Sequence, residues 1–519
     1  MKTSVLPILS TSLALSLLSL ANVSAQAIFT QGDILVSSST YAGTASTVTI
    51  GQPLPITPSA NAQYNGSYYG VFNNDLPDAN FGITSPITFT QLTPAGASTG
   101  VVINVPQSYL DTSFSSKSEL GINLTPDGSA VTFFAYPATA NQIDLSNSAT
   151  PGNDFSGDTD VAPATYRAIG KLNYDGGLSP ITEIVDYSGD NARNVMLASN
   201  GLYYTVGASA SSNLSLAGAE AITPGGTPGS NSVSLGHYGT KDSQNNFRGM
   251  TIFNNTLYVT KGSGGASSSV DTVYQVGTAG TLPTGTANTV SILNGFNTVT
   301  QGTNSTSGPH PFGLWFANAT TLYVSDEGTG VLADVQTAGS PSSNGNNNYA
   351  GLEKWSFNGT KWVLDYTLTA GLNIGTNYNV TGLNNDGVSG TYTTAPDGLR
   401  NITGQVNNDG TVTIYAITST ANGAVVGSPA TGNYAYDEGC DPNQLVKITD
   451  TLSNTTAAQS ATESFTLLQT ANYGQVLRGV SFVPYVPPTD TPTMPQWALM
   501  GLAALLFAFA ARFLPALRR

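Results

Sequence analysis

The chain has 519 residues, of which 40% are hydrophobic and only 9% are charged, and its 16 basic and 31 acidic side chains give a net charge of −15. So few cations disfavour a nucleic-acid binder, because neutralising phosphates requires a basic face. The hydrophobic content disfavours extended disorder, and a single cysteine, Cys440, with only two histidines excludes a disulfide framework and clusters of thiolate or imidazole metal ligands.

Residues 1–25 have the organisation of a secretory signal peptide. Lys2 supplies the positive start, residues 5–20 form an apolar core, and Val23-Ser24-Ala25 offers a cleavage site of small residues. A first transmembrane helix is the alternative, and it is disfavoured because the apolar run is short and rich in serine. We therefore expect an exported protein.

Between residues 26 and 486 the sequence predicts β-structure almost throughout. Short runs rich in Val, Ile, Tyr, Phe and Thr are separated by Gly, Asn, Asp, Ser and Pro, and helical periodicity is nearly absent. One unit recurs, in which an apolar strand, a tight Asn/Asp/Gly turn and a second strand follow one another. The distance along the chain from one unit to the next leaves room for four strands per unit and is too irregular for a solenoid. The five hairpins begin near residues 121, 194, 249, 313 and 401.

A β-propeller accounts for the two ends of this all-β region. Residues 479–483 have the character of a first strand without a hairpin partner, and residues 32–38 that of a second strand without a first. Joining them makes one blade from both termini, which we expect residues 47–50 and 87–90 to complete. Such closure removes exposed sheet edges. The count is then six blades, with seven as the alternative if residues 26–115 contain another.

One hairpin carries a resemblance to known repeats. Residues Pro311-Phe312-Gly313-Leu314, followed by Leu322-Tyr323-Val324-Ser325-Asp326, resemble the repeat of NHL-type and related six-bladed propellers. The resemblance implies the six-bladed fold and does not imply an activity.

Four arginines occupy one register of the repeat, at or just before the start of a predicted first strand. If the first strands line the central channel, these arginines converge around one mouth of it. Guanidinium groups there can bind carboxylate or phosphate oxygens through paired hydrogen bonds. The alternative is structural, with each arginine tying neighbouring blades together through acids such as Asp190, Asp242, Asp397 or Glu327. The four are Arg193, Arg248, Arg400 and Arg478.

Two further sets of residues are candidates for chemistry. His310, between two prolines, lies near the same register and is a candidate general base or ligand donor, with a rigid loop residue as the alternative. A group of acids offers oxygen ligands for a structural calcium ion, although their spacing is not that of an EF-hand. We expect no other cofactor. The acids are Asp326, Glu327, Asp437, Glu438 and Asp441.

The C-terminus has the composition of a membrane segment. A Pro/Thr-rich linker, residues 487–496, precedes an apolar run with a basic end, residues 497–519. The stretch from Trp497 to Leu517 would reach about 31 Å as a helix, which is enough for one membrane crossing. The terminal arginines should stay cytoplasmic, which leaves the rest of the chain outside. A permanent anchor is the simplest interpretation of this segment.

The order of short motif, apolar helix and basic end resembles the sorting tails of exosortase-type systems in Gram-negative bacteria. One variety of these tails begins Ile-Pro-Thr-Leu and has Trp after two further residues. Here Pro492, Thr493 and Trp497 match, whereas Thr491 and Met494 differ. The resemblance implies that an exosortase-type membrane transpeptidase trims an inner-membrane intermediate and delivers the protein to the cell surface or the medium.

Removal of both ends leaves 12 basic and 31 acidic residues, a surface suited to solubility outside the cell. We expect a cell-surface propeller that acts as a binding or adhesion module in the extracellular matrix. Its partner would be an extracellular polysaccharide or another surface protein, and not nucleic acid. One alternative is a propeller hydrolase or lactonase acting on an anionic sugar or phosphate ester, and another is a structural coat protein.

Overall fold

The computed structural model describes residues 27–54, 61–75, 78, 81–143, 145–155, 163–211, 213–262, 269–300, 308–330, 350–421 and 439–487. Within these ranges the chain forms strands and short 3-10 helices, as the sequence pattern predicts. The helices are Gly70–Asp75, Leu145–Asn147, Leu214–Leu216 and Asp242–Gln244.

The strands form six antiparallel sheets of four or five strands, and each sheet is one blade. The blade that both chain ends close is blade 6, in which Ile34 lies opposite Phe482 across the closing pair. Blade 6 contains β1 (Ile34–Thr40), β2 (Thr84–Leu92), β3 (Ser98–Asn104), β4 (Asp111–Ser113) and, from the far end of the chain, β26 (Gln475–Phe482).

The other five blades follow the chain in order. Blade 1 contains β5 (Asn123–Leu124), β6 (Ala130–Ala135), β7 (Arg167–Asn173) and β8 (Thr182–Ile184). Blade 2 contains β9 (Ala192–Leu197), β10 (Tyr203–Gly207), β11 (Gly218–Ile222) and β12 (Ser232–Ser234). Blade 3 contains β13 (Met250–Phe253), β14 (Thr256–Lys261), β15 (Thr272–Val276) and β16 (Val290–Ile292).

Blades 4 and 5 are larger. Blade 4 contains β17 (Pro311–Asn318), β18 (Thr321–Asp326), β19 (Gly351–Phe357) and β20 (Trp362–Leu368). In blade 5 the long strand β22 pairs with β21 along its first part and with β23 along its second part. Blade 5 contains β21 (Tyr378–Leu383), β22 (Ser389–Val406), β23 (Thr411–Ala421), β24 (Gln444–Thr451) and β25 (Thr466–Thr470).

The innermost strands contact one another in the order β5, β9, β13, β17, β22 and β26, and β26 contacts β5 again. They therefore surround a central channel, and the predicted six-bladed propeller is confirmed. Each junction between blades has its own hydrophobic core, as in blades 6 and 1, where Phe89 and Phe133 pack with ring centroids 5.0 Å apart. Both faces of each sheet are covered, which explains strands such as β6 in which every residue is buried.

Hydroxyl groups on the second strands join the blades around the channel. Thr132 donates to the Val195 carbonyl of the next blade at 2.8 Å, and Ser37 donates to the Leu120 carbonyl at the same distance. A glycine on or just before the first strand of the same blade lets the carbonyl group of the next blade come this close. A Cβ at Gly249 would overlap the Phe312 carbonyl oxygen of blade 4.

The prediction for blade 6 needs correction in two places. Residues 47–50 do not form a strand: they lie in turns, and Val48 packs into an aromatic cluster that includes Tyr41 and Phe72. Residues 87–90 belong to β2, the third strand of the blade, and β3 is the fourth. The region from 26 to 115 contributes to blade 6 and to this cluster, so its described part does not form a seventh blade.

Several predictions fall outside the described residues. These are the signal peptide at 1–25, the sorting motif with Pro492, Thr493, Met494 and Trp497, and the membrane segment at 497–519. Within the described ranges, none of the helices is long and apolar enough to cross a membrane. The two ends of the chain stay predictions.

Candidate functional site

The four predicted arginines lie at the same end of the ring of innermost strands. Arg193 and Arg478 lie within β9 and β26, Arg400 lies within β22, and Arg248 is two residues before β13. None of the four is more than 8% exposed. The innermost strands all run in the same direction along the channel. Each arginine stands one or two residues before the first residue of its strand that lines the channel, so the four surround one mouth.

A segment that leads into blade 1, residues 114–120, crosses this mouth. Arg248 donates from Nη1 to the Ser118 hydroxyl at 2.9 Å, and Arg478 donates from Nη2 to the Phe114 carbonyl. From the same segment, Lys117 Nζ lies 3.8 Å from Glu327 Oε2 of blade 4. Blade 1 is adjacent neither to blade 3 nor to blade 4, so these contacts span the opening. We call Lys117 and the four arginines the mouth cations.

The pKa values of the mouth cations show how close together the charges are. Burial lowers the pKa of Arg193 to about 10, that of Arg478 to about 9 and that of Lys117 to about 8. Repulsion from other mouth cations adds to each decrease, and nearby acids oppose it. Since Coulomb repulsion falls with distance, this coupling means that the cations form one cluster.

Glu327 is the acid that holds this cluster together. Its Oε2 lies 3.2 Å from Arg400 Nε and 3.8 Å from Lys117 Nζ. Burial alone would raise the pKa of the Glu327 carboxyl, but Lys117, Arg400 and Arg248 outweigh burial and lower that pKa to about 2. Arg400 therefore ties blade 5 to blade 4, as the structural alternative expects of an arginine in this register.

The other acids proposed as ties behave differently. Asp190 lies 3.3 Å from Arg193 Nη2, three residues earlier on the same chain segment. Burial raises the pKa of Asp242, and an electrostatic interaction with His237 opposes this increase. Asp397 accepts a hydrogen bond from the Gly330 backbone N–H at 2.6 Å.

Arg193 and Arg478 are among the arginines with buried donors that have no hydrogen-bond partner among the described residues. Their donors of this kind are Nε and Nη1 of Arg193 and Nε of Arg478. Both side chains are 3% exposed. A buried donor without an acceptor costs about 1–3 kcal/mol, and more when it carries charge. Two arginines of one cluster thus present unused donors at the mouth.

Titratable acids on blades 4 and 5 lie beside the cluster. The His310 backbone N–H donates to Asp326 Oδ2 at 2.5 Å, and burial raises the pKa of Asp326 to about 6. Burial also raises the pKa of Asp397 and of Glu353 to about 8, with Asp326 adding to both increases. His310 is itself buried and acts electrostatically on Asp326 and Glu327.

The predicted calcium ligands that the structure describes have other partners. Asp326 and Glu327 are bound by backbone N–H groups and mouth cations, whereas Asp441 accepts from Tyr392 at 2.7 Å and from Thr420 at 2.9 Å. Asp437 and Glu438 lie outside the described residues. Among the residues that are described, no three His, Cys, Asp or Glu side chains are grouped so as to hold a metal ion.

Directly inside the mouth lies the central channel, with a cavity of about 300 Å³. All six innermost strands line it, and its polar groups include Asn194 and Asn401, which directly follow Arg193 and Arg400. A ligand there would meet amide and hydroxyl groups along its length and guanidinium groups at one end.

Sequence reasoning missed Lys117 and Glu353. The first hairpin, which begins near residue 121, has no arginine at the position where Arg193 and Arg248 precede the next two hairpins. Lys117, four residues before Gly121, is the nearby cation that this missing arginine could have pointed to. Glu353 occupies the third position of β19, as Glu220 does in β11, so an alignment of third strands would have paired the two.

Comparisons with known proteins give no family. No family model matches the chain, and no curated protein matches it. Solved structures similar to it include an oxidoreductase (glucose dehydrogenase) from Thermus thermophilus, with 16% identity, coverage of 64% of this chain and 87% of that chain, and a TM-score of 0.31.

Two polysaccharide-active enzymes are also among the similar structures. An exo-β-1,3-galactanase from Clostridium thermocellum has 11% identity, coverage of 78% of this chain and 89% of that chain, and a TM-score of 0.29. A PL25 polysaccharide lyase described as an ulvan lyase has 11% identity, coverage of 88% of this chain and all of that chain, and a TM-score of 0.30. None of these likenesses is strong enough to lend this chain an activity.

Proposed function

We propose that the protein is an exported surface module that binds a carboxylate- or phosphate-bearing ligand at the mouth of its propeller channel. The observation that carries this proposal is the set of unpartnered donors on Arg193 and Arg478, both of which are 3% exposed. Oxygen atoms of an anion would satisfy these donors. A uronate residue of an extracellular polysaccharide is the ligand that we propose first.

Charge at the mouth supports an anionic ligand over a neutral one. The whole chain has a net charge of −15, yet the mouth collects five cations, whose ion pairs within the described part of the chain come from Asp190 and Glu327. Guanidinium groups bind carboxylates and phosphates through two parallel hydrogen bonds, and a buried site strengthens them because water competes less. An anion would also relieve the repulsion that lowers the pKa of Arg193.

The binding test is thermal unfolding of the purified protein with galacturonate, inorganic phosphate or neutral galactose at fixed ionic strength. A ligand at a hundred times its Kd adds about 2.7 kcal/mol to the free energy of unfolding. We expect an anion to raise the Tm and galactose not to. Arg193→Lys should reduce the rise in Tm, because lysine keeps the positive charge but cannot form the two parallel hydrogen bonds of a guanidinium group. Lys361→Ala, which changes a lysine at an exposed turn, is the control.

Each outcome of this test has a meaning. Equal Tm shifts in wild type and Arg193→Lys would assign the anion to another surface and overturn the site. Failure of every anion to shift the Tm would leave the arginines as ties between blades. The structural coat protein would then be the better proposal.

A hydrolase acting on an anionic sugar or phosphate ester is a second candidate. It is favoured by two acids near Arg400, Glu327 and Asp397, whose pKa values differ widely. The pKa of Glu327 is about 2 and that of Asp397 is about 8, so near neutral pH one is ionised and the other protonated. Such a pair has the form of a general base and a general acid. Turnover of aryl glycosides, aryl phosphates or lactones that Asp397→Asn abolishes, with anion binding intact, would favour this candidate.

Export is part of the proposal and has a separate test. Its support is the signal-like segment at 1–25 and the sorting-like tail at 487–519. Mass spectrometry of the protein recovered from the medium and the cell surface should find an N-terminus near Gln26 and no peptides from 497–519. Retention of the tail in a membrane fraction would instead support a permanent anchor, and an unprocessed N-terminus in the cytosol would overturn export.

A further inference from the structure

A second buried charge cluster, which shares no residue with the mouth cations, lies at the junction of blades 4 and 5. Lys354 of β19 and Asp450 of β24 are both completely buried, and Nζ lies 2.7 Å from Oδ2. The two strands belong to neighbouring blades. The pair is surrounded by the aromatic side chains Tyr323 and Tyr366, and Nζ lies 5.7 Å and 5.3 Å from their ring centroids.

Hydrogen bonds fix both partners of this pair. Nζ of Lys354 also donates to the Thr451 carbonyl at 2.9 Å and lies 3.0 Å from the Tyr366 hydroxyl. Tyr366 donates to Oδ1 of Asp450 at 2.5 Å, and Tyr323 donates to Oδ2. The amine is therefore held against one carboxyl group whose two oxygens both accept from phenols.

A third titratable group completes the cluster. Glu463 accepts at Oε1 from the Thr451 backbone N–H at 2.9 Å and from Asn454 at 3.0 Å, and its Oε2 is buried. Burial and a hydrogen bond shared with Asp450 raise the pKa of Glu463 to about 6. Glu463 is thus placed to exchange a proton with the Asp450 carboxyl group.

We propose that Lys354 and Asp450 condense to an intramolecular amide that joins blade 4 to blade 5 covalently. The three-residue arrangement of buried amine, buried carboxyl and adjacent acid carries this proposal. It is independent of the ligand proposed for the mouth, because none of its residues belongs to that site.

The reaction balances without an oxidant or a reductant. A proton passes from Nζ to the Asp450 carboxylate, which leaves a neutral amine and a neutral acid. The Nζ–Cγ bond forms and one Cγ–O bond breaks, while Glu463 delivers a proton to the departing oxygen and takes one from nitrogen. The products are a secondary amide and one water molecule.

The buried surroundings of Lys354 and Asp450 favour formation of the amide. Two buried charges become a neutral amide, so the desolvation penalty of the ion pair disappears. The strands hold amine and carboxyl in contact, which replaces an encounter in solution by a step within one molecule. The Tyr323 and Tyr366 hydroxyls already donate to the carboxyl oxygens, where negative charge develops in the tetrahedral intermediate.

Mass spectrometry of a tryptic digest of the full chain, denatured first, tests the proposal. Trypsin cannot cleave after a lysine whose amine is acylated. We therefore expect a branched peptide in which residues 262–361 are joined to residues 448–478, lighter by one water than the sum of the two. Neither stretch contains an Asp-Gly pair, so loss of water by cyclisation at such a pair does not imitate this result.

Two variants separate the chemistry from simple packing. Lys354→Arg keeps the positive charge but cannot condense in this way, and it should release residues 448–478 as a linear peptide. Glu463→Gln should slow formation by about a hundredfold or more, since positioned proton transfer contributes that much to catalysis. Linear 448–478 and cleavage after Lys354 in folded wild-type protein, even after prolonged incubation, would overturn the proposal and leave a buried ion pair.

Discussion

Replacing Glu327 with glutamine tests how charge is arranged at the mouth. Glu327 is 2% exposed, and its carboxylate contacts Arg400 and Lys117. Glutamine has nearly the same shape and still offers an oxygen to the Arg400 guanidinium. The substitution therefore removes the negative charge with little change in packing.

The expected loss of stability follows from the pKa of the Glu327 carboxyl group. Its pKa falls from the ordinary 4.5 to about 2 in the folded protein. This difference corresponds to roughly 3 kcal/mol of stability, which matches the ~3–5 kcal/mol lost when one partner of a buried ion pair is removed. Because the folded-state pKa is the lower one, this stability is present above pH 4.5 and disappears as the pH falls towards 2.

The assay is denaturant-induced unfolding of wild type and Glu327→Gln between pH 2 and 7. We expect the variant to be less stable by roughly 3 kcal/mol at pH 7 and the difference to shrink through the acidic range. Glu183→Gln, in the outermost strand of blade 1, is the matched control. A difference between wild type and Glu327→Gln that stays constant from pH 7 to 2 would refute the argument that the mouth cations hold Glu327 ionised.

The remaining predictions concern the blade junctions and the buried acids. Gly249→Ala should destabilise the protein by about 1–3 kcal/mol, because its Cβ would overlap the Phe312 carbonyl oxygen, whereas Gly285→Ala, with no atom within 4 Å of its Cβ, should change the free energy of unfolding by less than about 0.5 kcal/mol. Equal effects of the two in chemical denaturation would contradict the close approach of blades 3 and 4. For Asp397, whose pKa rises from 3.8 to about 8 on folding, protonation stabilises the fold, so wild type should lose stability between pH 4 and 8 more steeply than Asp397→Asn. Parallel pH profiles of the two proteins would show that Asp397 is not held protonated.

Much of the propeller was predictable because its signals are local. A hairpin needs only two short apolar strands and a turn of Asn, Asp or Gly, and all five predicted hairpins, such as β13 and β14, form close to where these signals stand. Closure by the two ends was also predictable, because residues 479–483 and 32–38 each lacked a partner. The register of Arg193 and Arg478 followed from aligning the repeats.

Segments that pack outside the repeat could not be predicted in this way. Residues 47–50 read as a strand, yet Val48 packs into a cluster built from parts of the chain as distant as Tyr68 and Cys440. The strand β3 escaped notice because most of its residues are exposed, so its apolar pattern is weak. In both cases tertiary packing decides what local propensity leaves open.

The sequence by itself determined the all-β class, the five hairpins, the way the ring closes and the shared register of the four arginines, since each of these depends on local patterns along the chain. The choice of six blades over seven came from the structure. Only the tertiary structure decided that Lys117 crosses the mouth to Glu327, and that Lys354, Asp450 and Glu463 meet between two blades. The contacts of Lys117 with Glu327 and of Lys354 with Asp450 join residues about 100 to 200 positions apart. Their energies depend on burial, which removes water from charges that no local pattern marks as neighbours.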